Sequence, residues 1–425
     1  MRRLLCIPAL LLFISGVSAQ RLLKEASPAA AGFSPARLAA IDSLIRVYVD
    51  SNYIGGATAL VARDGKIVYY KGLGSADLHT HAPMKRDEIF RIASQTKALT
   101  SVAIMMLVDQ GKLKLDDPVS KYLPEYRNQV VLDSFIAKDT TYTTVPAKRD
   151  ITIKDLMTHT SGIGYAQIGS PEANAIYGKQ GIPGGIGVYN VSLAEKMRVL
   201  GKLPLMHQPG EKWTYGLNMD LMGYLVEVIS GMDLDRFFRE KIFRPLGMND
   251  SFFYLPENKW DRLVALSTED STGHVKPHPD SANLNGMVYA NYPASHGTYF
   301  SGGGGLASTA YDYAIFLQML LNGGEYNGVR ILKPATVQLM ISDQMPDVPF
   351  GDKKMGLGFS IYTEQSRATS PLSPGSYEWG GMFSSSYWVD PKEKIVAQFF
   401  LNQLPNTHWE IHEKFKQLVY QALIK

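Results

Sequence analysis

The sequence predicts an α+β fold, with one antiparallel sheet built from both ends of the chain, flanking helices and a mostly helical middle region. Segments rich in β-forming residues flank a turn at residues 57–70, and a second set lies at residues 377–401. The long region between these two sets is predicted to be mainly helix and loop. Strands at both ends with helices between them favour one sheet covered by the helical middle. We therefore assign residues 20–93 and 346–425 to an α/β part and residues 94–345 to a helical part.

The N-terminal end is predicted to hold a helix and a hairpin. Residues 35–50 carry apolar side chains at helical spacing, which predicts an amphipathic helix. Ala57–Ala62 and Lys66–Tyr70 are rich in β-forming residues, and Asp64-Gly65 lies between them. Asp-Gly between two such runs is a strong hairpin signal. The sequence therefore predicts a helix followed by two paired strands.

The middle and the C-terminal end continue this pattern. Ala98–Val108 is apolar on nearly all faces, which predicts a buried helix. Helices are also predicted at Met219–Ser230 and Tyr311–Leu321, and loops rich in Gly and Pro at 168–189 and 255–298. Three strands and a closing helix are predicted near the C-terminus, at Tyr377–Gly381, Ser384–Val389, Ile395–Leu401 and Thr407–Ile424.

Residues 1–19 have the features of an export signal. A charged start at Arg2 and Arg3 precedes the almost wholly apolar Leu4–Val17, and small residues follow at the usual cleavage position. The apolar run is shorter than the roughly 20 residues that a membrane span needs. We therefore expect a mature protein of residues 20–425 that is periplasmic or secreted and has no stable membrane span after signal cleavage.

The composition argues against several classes of function. Hydrophobic residues make up 45% and charged residues 20% of the 425 residues, which is typical of a globular protein. The formal net charge is +3 without a Lys/Arg-rich run, so we expect no nucleic-acid partner. The one cysteine, Cys6, lies in the export signal, so the mature chain has no cysteine metal site. His408 and His412 share a helix face but lack the His-Glu-x-x-His pattern. We expect that face to be solvated, and we expect no metal and no cofactor.

Ser94 and Lys97 carry the clearest chemical signal. They lie at the start of the buried helix, and residues three apart share one helix face. A serine hydroxyl is a weak nucleophile that needs an adjacent base. Burial disfavours the charged form of a lysine, and the neutral amine can accept the serine proton. Ser-x-x-Lys also recurs by chance, so a capping serine beside a surface lysine is the alternative interpretation of the pair alone.

Further segments occur in a fixed order around this pair. They are Ile153–Gly162, Glu211–Asn218, Pro245–Met248, Gly303–Thr309 and Trp379–Gly381. The ordered set, with Ser-x-x-Lys, resembles the serine β-lactamase and penicillin-binding-protein superfamily. Within it, the sequence looks most like class C β-lactamases and family VIII carboxylesterases, over residues 35–405. The resemblance implies a β-lactamase/transpeptidase-like fold.

The resemblance also implies roles for individual residues. Ser94 resembles the nucleophile that is acylated, Lys97 its paired base, and Tyr215 the tyrosine that shares the proton transfer. Trp379-Gly380-Gly381 stands where many members have Lys-Thr-Gly. The backbone N–H of Met382, just after it, would join that of Ser94 in an oxyanion hole.

Two positions depart from the family pattern. The family tyrosine usually heads Tyr-x-Asn, but here the third residue is Leu217 and the asparagine comes one later, at Asn218. We keep Asn218 as the expected substrate contact. Trp379 replaces a lysine that helps β-lactamases to hold the carboxylate of the drug, and tryptophan has no charge to pair with an anion. Trp-Gly-Gly is similar to the esterase branch.

The sequence therefore predicts an exported serine hydrolase that acts through an acyl-enzyme on ester or small amide substrates. It carries no signal for the oligomeric state. The enzymatic alternative is a class C-like β-lactamase or a D-alanyl-D-alanine carboxypeptidase. The carboxypeptidase would act on peptidoglycan-like substrates. The alternative from another class is a penicillin-binding or sensor module without turnover.

Overall fold

A computed structural model describes residues 23–187, 190–279 and 291–424, so the predicted export signal lies outside the described residues. The strands are β1 (Lys24–Glu25), β2 (Gly56–Arg63), β3 (Lys66–Asp77), β4 (Ala82–Pro83), β5 (Phe90–Arg91), β6 (Val130–Ile136), β7 (Thr141–Pro146), β8 (Ser267–Glu269), β9 (Val275–Pro277), β10 (Ala307–Ser308), β11 (Glu325–Tyr326), β12 (Val329–Arg330), β13 (Lys354–Met355), β14 (Ser360–Ile361), β15 (Tyr377–Gly381), β16 (Ser385–Asp390) and β17 (Ile395–Phe400). The α-helices are α1 (Pro35–Leu38), α2 (Ala40–Asp50), α3 (Thr96–Asp109), α4 (Ile153–Met157), α5 (Pro171–Lys179), α6 (Leu193–Leu200), α7 (Asn218–Ser230), α8 (Leu234–Phe238), α9 (Arg244–Leu246), α10 (Ala310–Leu321), α11 (Pro334–Met340) and α12 (Glu410–Gln421). None of these helices is long and apolar enough to cross a membrane.

One large sheet runs through the molecule. Its strands follow the order β1-β3-β2-β17-β16-β15-β14-β13, and β4 adds to β3. Neighbouring strands are antiparallel, apart from β1, which runs parallel to β3. β2 pairs with β17, with Val61 opposite Ala397, so strands from the two ends of the chain meet within the sheet. The predicted sheet built from both termini is confirmed.

The turn between β2 and β3 has the geometry that Asp-Gly predicts. The φ angle is 53° at Asp64 and 76° at Gly65. A two-residue type I′ turn requires two successive residues in the left-handed region, and Asp-Gly adopts them at low cost. The hairpin therefore forms where it is predicted.

Helices cover both faces of the sheet. On one face, α2 and α12 pack around Ile41, Val61, Trp388 and Phe415, which are all fully buried. On the other face, α3, α7 and α10 belong to a larger core. α3 is buried on nearly all sides, as its continuous apolar sequence predicts. The sheet is therefore the central layer, with the terminal helices on one side and the middle region on the other.

The middle region contains more than the predicted helices and loops. β6 and β7 form a hairpin, and β8 and β9 form another within the predicted loop at 255–298. α5 lies in the predicted loop at 168–189. It begins at a local start signal, because Ser170 accepts a hydrogen bond from the N–H of Ala173 and Pro171 occupies the first turn. The loop prediction is wrong there, since the Gly and Pro content of the segment obscures this signal.

The closing helix is shorter than predicted, and its histidines are not solvated. α12 spans Glu410–Gln421. His412 is 1% exposed, and its Nδ1 lies 2.7 Å from Ser386 Oγ. The ring of His408 stacks on Tyr53, with the ring centres 3.9 Å apart. The expected solvated face is therefore wrong, because both rings pack against neighbouring elements.

Candidate active site

Ser94 lies in a turn of 3₁₀ helix, Ala93–Gln95, that leads directly into α3. Ala93 has a φ angle of 45°, in the left-handed region that residues with a side chain rarely adopt. This conformation turns the chain sharply between β5 and α3. Ala93 and Gln95 are fully buried, whereas Ser94 is only half-buried. The turn therefore leaves the serine as its one accessible side chain.

Lys97 lies one helical turn further along and is 1% exposed. Its Nζ lies 3.2 Å from Ser94 Oγ, 3.2 Å from Tyr165 Oη and 2.6 Å from the carbonyl oxygen of Gly303. A carbonyl oxygen can only accept, so one N–H of the amine is committed to Gly303. Tyr165 Oη occupies a second position around the nitrogen. The third position around the nitrogen therefore faces Ser94 Oγ. The structure thus brings Ser94 and Lys97 together, as their spacing predicts.

Tyr215 joins this pair from a distant part of the chain. Its hydroxyl donates a 2.7 Å hydrogen bond to Ser94 Oγ. Lys97 Nζ lies 4.6 Å from the centre of the Tyr215 ring, within the range in which a cation is attracted to an aromatic face. The three residues that the resemblance groups together are therefore neighbours in the structure.

The segment that carries Tyr215 packs against residues 159–164. The N–H of Thr214 donates a 2.8 Å hydrogen bond to the carbonyl oxygen of His159. A Cβ at Gly216 would lie 1.9 Å from a carbonyl oxygen of the same segment, so this close approach requires glycine. Two of the segments on which the family resemblance depends therefore act together to position the tyrosine.

The end of β15 lies beside the turn that carries the serine. A Cβ at Gly381 would lie 2.3 Å from the carbonyl oxygen of Ile92, so only glycine lets the strand come this close. Trp379 lies two residues earlier, on the same face of the strand. Its ring centre is 6.2 Å from that of Tyr215. The Trp379–Gly381 strand is therefore part of the same site.

Gly380 and Met382 have different surroundings. Gly380 lies opposite Ser386 in the ladder, and the ring of Trp409 lies against its other side. Met382 follows the strand and packs against an apolar cluster that contains Ala93. The role of its backbone N–H in an oxyanion hole stays a prediction.

Asn218 does not face the site. It is 0% exposed, its Nδ2 lies 3.0 Å from His159 Nδ1, and its Oδ1 accepts a 2.5 Å hydrogen bond from Ser161. The expected substrate contact is therefore wrong. Because the asparagine stands one position later than in the family pattern, it falls on the first residue of α7 and turns into the protein, where it holds the 159–161 segment.

Tyr165 lies outside the segments that carry the resemblance, and Gly303 begins one of them without a predicted role at the site. They lie 68 and 206 residues from Lys97 in the sequence. Tyr165 comes shortly after the His159–Gly162 segment, and Gly303 belongs to a glycine run that by itself predicts only a structural loop. Burial raises the pKa of Tyr165 well above its ordinary value, with further contributions from Tyr215 and Asp220, so Tyr165 is a neutral phenol.

Aromatic rings line one side of the site. Trp213 stacks on Tyr215 with the ring centres 5.8 Å apart, and Phe350 lies 5.2 Å from Trp213. Together with Trp379, these rings form an apolar wall beside the serine. Such a wall favours apolar groups of a substrate over charged ones.

Two cations on the segments that precede β15 are engaged with acids of their own. Lys353 pairs with Glu378 at 2.5 Å. Since neighbouring residues of a strand point to opposite faces, Glu378 and its partner lie on the other side of β15 from Trp379. Arg367 is exposed and pairs with Glu364 at 3.3 Å. Neither cation replaces the lysine that is absent at position 379.

The arrangement has the geometry of nucleophilic catalysis. A nucleophile needs a base within hydrogen-bond reach, and the base needs a group that orients it. Ser94 has Lys97 and Tyr215 within that reach, and Gly303 and Tyr165 orient the amine. Among the residues that the structure describes, no three His, Cys, Asp or Glu side chains are placed to hold a metal ion.

The fold and the site together define a serine hydrolase. The chain belongs to the Beta-lactamase family, whose profile matches residues 41–421. It is 30% identical over 383 residues to esterase EstB of Burkholderia gladioli, which covers 85% of this chain and 90% of that protein. It is 29% identical over 423 residues to an Escherichia coli K12 protein provisionally assigned as a D-alanyl-D-alanine carboxypeptidase, covering 95% of this chain and 91% of that one.

A solved structure has the same fold. It is EstCE1, described as a hydrolase with promiscuous acyltransferase activity, with a TM-score of 0.77 and 26% sequence identity. The match covers 91% of this chain and 99% of EstCE1. The predicted family and the β-lactamase/transpeptidase-like fold are confirmed.

Proposed function

We propose that this chain is an exported esterase that forms an acyl-enzyme on Ser94 and prefers uncharged, short-chain esters. The observation that carries the proposal is the cluster in which Tyr215 Oη and Lys97 Nζ lie 2.7 and 3.2 Å from Ser94 Oγ. The similarity to EstB, an esterase, supports an ester as substrate. Export rests on the sequence of residues 1–19.

The proposed reaction proceeds in two steps. Ser94 Oγ attacks the ester carbonyl carbon, and its proton passes to the Lys97–Tyr215 pair. The backbone N–H groups of Ser94 and Met382 stabilise the oxyanion. The pair returns the proton to the departing alcohol as the C–O bond breaks. Water then attacks the acyl-enzyme, loses a proton to the same pair, and releases the acid while Ser94 regains its proton.

The surroundings of the serine support an uncharged substrate. Trp379 stands where a lysine would pair with a carboxylate, and it continues an aromatic wall formed by Trp213, Tyr215 and Phe350. An anionic substrate would lose its hydration against these rings without gaining an ion pair. A neutral acyl group instead gains apolar contact there.

A carboxypeptidase is the second candidate, and the edge of β15 favours it. β14 pairs with β15 at Tyr377 and Glu378, and no further ladder pair between these strands occurs in the described part of the chain. In this second proposal, an extended peptide adds along Trp379–Gly381 as a further strand. The related E. coli protein with a provisional carboxypeptidase assignment is consistent with this use.

A steady-state comparison of purified residues 20–425 distinguishes these functions. The substrates are p-nitrophenyl butyrate, nitrocefin and a peptide ending in D-Ala-D-Ala. We expect kcat/KM to be highest for the butyrate ester. A higher value for the peptide would establish the carboxypeptidase instead, and a single burst without turnover on every substrate would establish a binding module.

A further inference from the structure

Asp220 is a buried acid directly behind the candidate active site. It lies in the first turn of α7 and is 0% exposed. A Cβ at Gly303 would lie 2.4 Å from Asp220 Oδ2 and 3.6 Å from Tyr165 Oη. The carboxyl group therefore lies against the backbone of Gly303, whose carbonyl oxygen accepts the 2.6 Å hydrogen bond from Lys97.

The hydroxyl groups of Ser301 and Tyr299 face this carboxyl group. In the described residues, neither of its oxygens accepts a hydrogen bond of standard geometry. Burying a carboxylate without such partners is unfavourable, so a residue with a purely structural task would be better served by an apolar or amide side chain. Asp220 lies behind Gly303 and Tyr165, and both of these residues contact Lys97. This position suits a carboxyl group that acts on the charge of Lys97.

The carboxyl group remains able to carry a charge at neutral pH. Burial raises its pKa to about 6, and the hydroxyl of Ser301, the charge of Lys97 and the hydroxyl of Tyr299 limit the rise. The first turn of a helix also favours a negative charge. Above pH 6, Asp220 is therefore a buried anion behind Gly303, whose carbonyl oxygen binds Lys97.

We propose that Asp220 is the positioning residue of Lys97, and that its carboxylate stabilises the ammonium group formed when Lys97 takes the proton of Ser94. This inference rests on the proposed acyl-enzyme function. In the described part of the chain, Lys97 has no carboxylate within ion-pair distance. A positive charge that develops on Lys97 is therefore balanced by an acid behind Gly303 and Tyr165, the groups that contact the amine. Asp220 supplies that balance without blocking the path between Lys97 and Ser94.

The other titratable groups that face this pair do not take the same role. Tyr165 contacts Lys97 and is a neutral phenol, because burial raises its pKa well above its ordinary value. Burial and the charge of Lys97 lower the pKa of His159 well below its ordinary value, so its imidazole is neutral. Tyr215 lies with its ring over Lys97, and Tyr299 faces Asp220 as a hydroxyl. Asp220 is the acid of this group.

The test compares pH profiles of kcat/KM for p-nitrophenyl butyrate in the native enzyme and in Asp220→Asn. Removal of a neighbouring anion disfavours the protonated form of a base, so the acidic limb of the profile should move to lower pH. We expect this acidic limb to move by about one unit. We also expect kcat to fall by about 10- to 100-fold with little change in KM.

Two further variants separate charge from packing. Asp220→Glu keeps the charge and should keep the limb within about 0.3 unit of the native position, whatever its kcat. Asp312→Asn is the matched control, since Asp312 is also buried in the first turn of a helix and burial raises its pKa to about 6. This variant should lower Tm and leave the limb unchanged. If Asp220→Asn does not fold, Asp220→Ser removes the same charge and has to give the same shift.

Each outcome bears on the inference. An unshifted limb in folded Asp220→Asn or Asp220→Ser, or an equal shift in Asp220→Glu, would overturn it and reduce Asp220 to a structural residue. If Ser94→Ala abolishes hydrolysis but the limb of the Asp220→Asn profile is unshifted, only this inference fails. If Ser94→Ala keeps its activity, the proposed function itself fails.

Discussion

The hydroxyl of Tyr215 donates a 2.7 Å hydrogen bond to Ser94 Oγ across 121 residues of sequence. The bond depends on two close backbone approaches. Gly216 lets the tyrosine segment pack on residues 159–164, and Gly381 lets β15 reach the chain just before Ser94. The proposed nucleophile is thus held between two elements that each need a glycine to come near it.

Ser94→Ala should abolish ester hydrolysis and leave the protein folded. Loss of an attacking hydroxyl typically lowers turnover by about 10⁴-fold or more. The side chain is small and half-buried, so Tm should change little. Hydrolysis of p-nitrophenyl butyrate and a thermal melt measure the two effects. A fluorophosphonate probe should label Ser94 alone, and peptide mapping that finds the label on Ser161 or Ser308 would contradict the choice of nucleophile.

Tyr215→Phe should lower kcat with little effect on KM. The substitution removes the hydrogen bond to Ser94 Oγ and keeps the ring that packs beside Trp213. Loss of a proton-transfer group typically lowers the rate by about 10²–10⁴-fold. Steady-state kinetics on p-nitrophenyl butyrate measure the change.

A matched control is Tyr177→Phe. Tyr177 is buried, whereas Tyr215 is half-buried, and the Tyr177 hydroxyl donates to the carbonyl oxygen of Pro204. We expect this variant to lose about 1 kcal/mol of stability and no activity. If Tyr215→Phe retains native kcat, the tyrosine takes no part in the proton transfer.

Trp379→Lys should shift the preference of the enzyme from neutral esters towards nitrocefin. A lysine there could pair with the carboxylate of a β-lactam, and charge-assisted hydrogen bonds of this kind contribute roughly 1.5–3 kcal/mol. That corresponds to about a 10- to 150-fold change in the ratio of the two kcat/KM values. A thermal melt comes first, because Trp379 packs beside Tyr215.

Trp409→Lys is the control for this exchange. Trp409 is 43% exposed and lies beside Gly380, outside the aromatic wall of the site. It should leave the substrate ratio unchanged. A native enzyme that already hydrolyses nitrocefin better than p-nitrophenyl butyrate would show that Trp379 does not select against anions.

Asp155→Asn should destabilise the protein at pH 7 and not at acidic pH. Burial alone would raise the pKa of Asp155, but hydrogen bonds from Arg149 and Thr152 bring it below its ordinary value. A carboxyl group with a lowered pKa in the folded state stabilises the fold above its ordinary pKa, and this stabilisation disappears as the pH falls through the lowered value. We expect a loss of about 1–2 kcal/mol at pH 7.

Denaturant unfolding at several pH values measures this difference. The gap between the native protein and Asp155→Asn should close as the pH falls below about 4, near the ordinary pKa of an aspartate. The exposed Asp261 offers a control, because its substitution by Asn should change stability little at any pH. An equal gap at pH 7 and at pH 3 would contradict the role of the charge.

The mature protein from its native host should begin at Gln20. The reason is the charged start, apolar run and small residues of 1–19. N-terminal sequencing or intact-mass analysis gives the answer directly. A chain that retains Met1 in the cytoplasmic fraction would contradict export, and it would leave the chemistry proposed for Ser94 untouched.

Local signals account for the features that were predicted correctly. The Asp64-Gly65 turn, the buried α3 and the spacing of Ser94 and Lys97 each depend on a few consecutive residues. Where such signals compete, prediction fails, as in α5, whose Ser-Pro start lies within a segment rich in Gly and Pro. The helix pattern alone predicts a solvated His412, because it does not reveal that Ser386 lies beside the ring.

Order and spacing along the chain are enough to predict the family, the sheet built from both termini and the pairing of Ser94 with Lys97. The surroundings of that pair depend on how distant segments pack. The tertiary structure brings Tyr165 and Gly303 to the amine of Lys97, puts Asp220 behind them and turns Asn218 away from the site. These contacts join residues that lie far apart in sequence. They form because the sheet and the helices pack in one arrangement, and no local pattern encodes that arrangement.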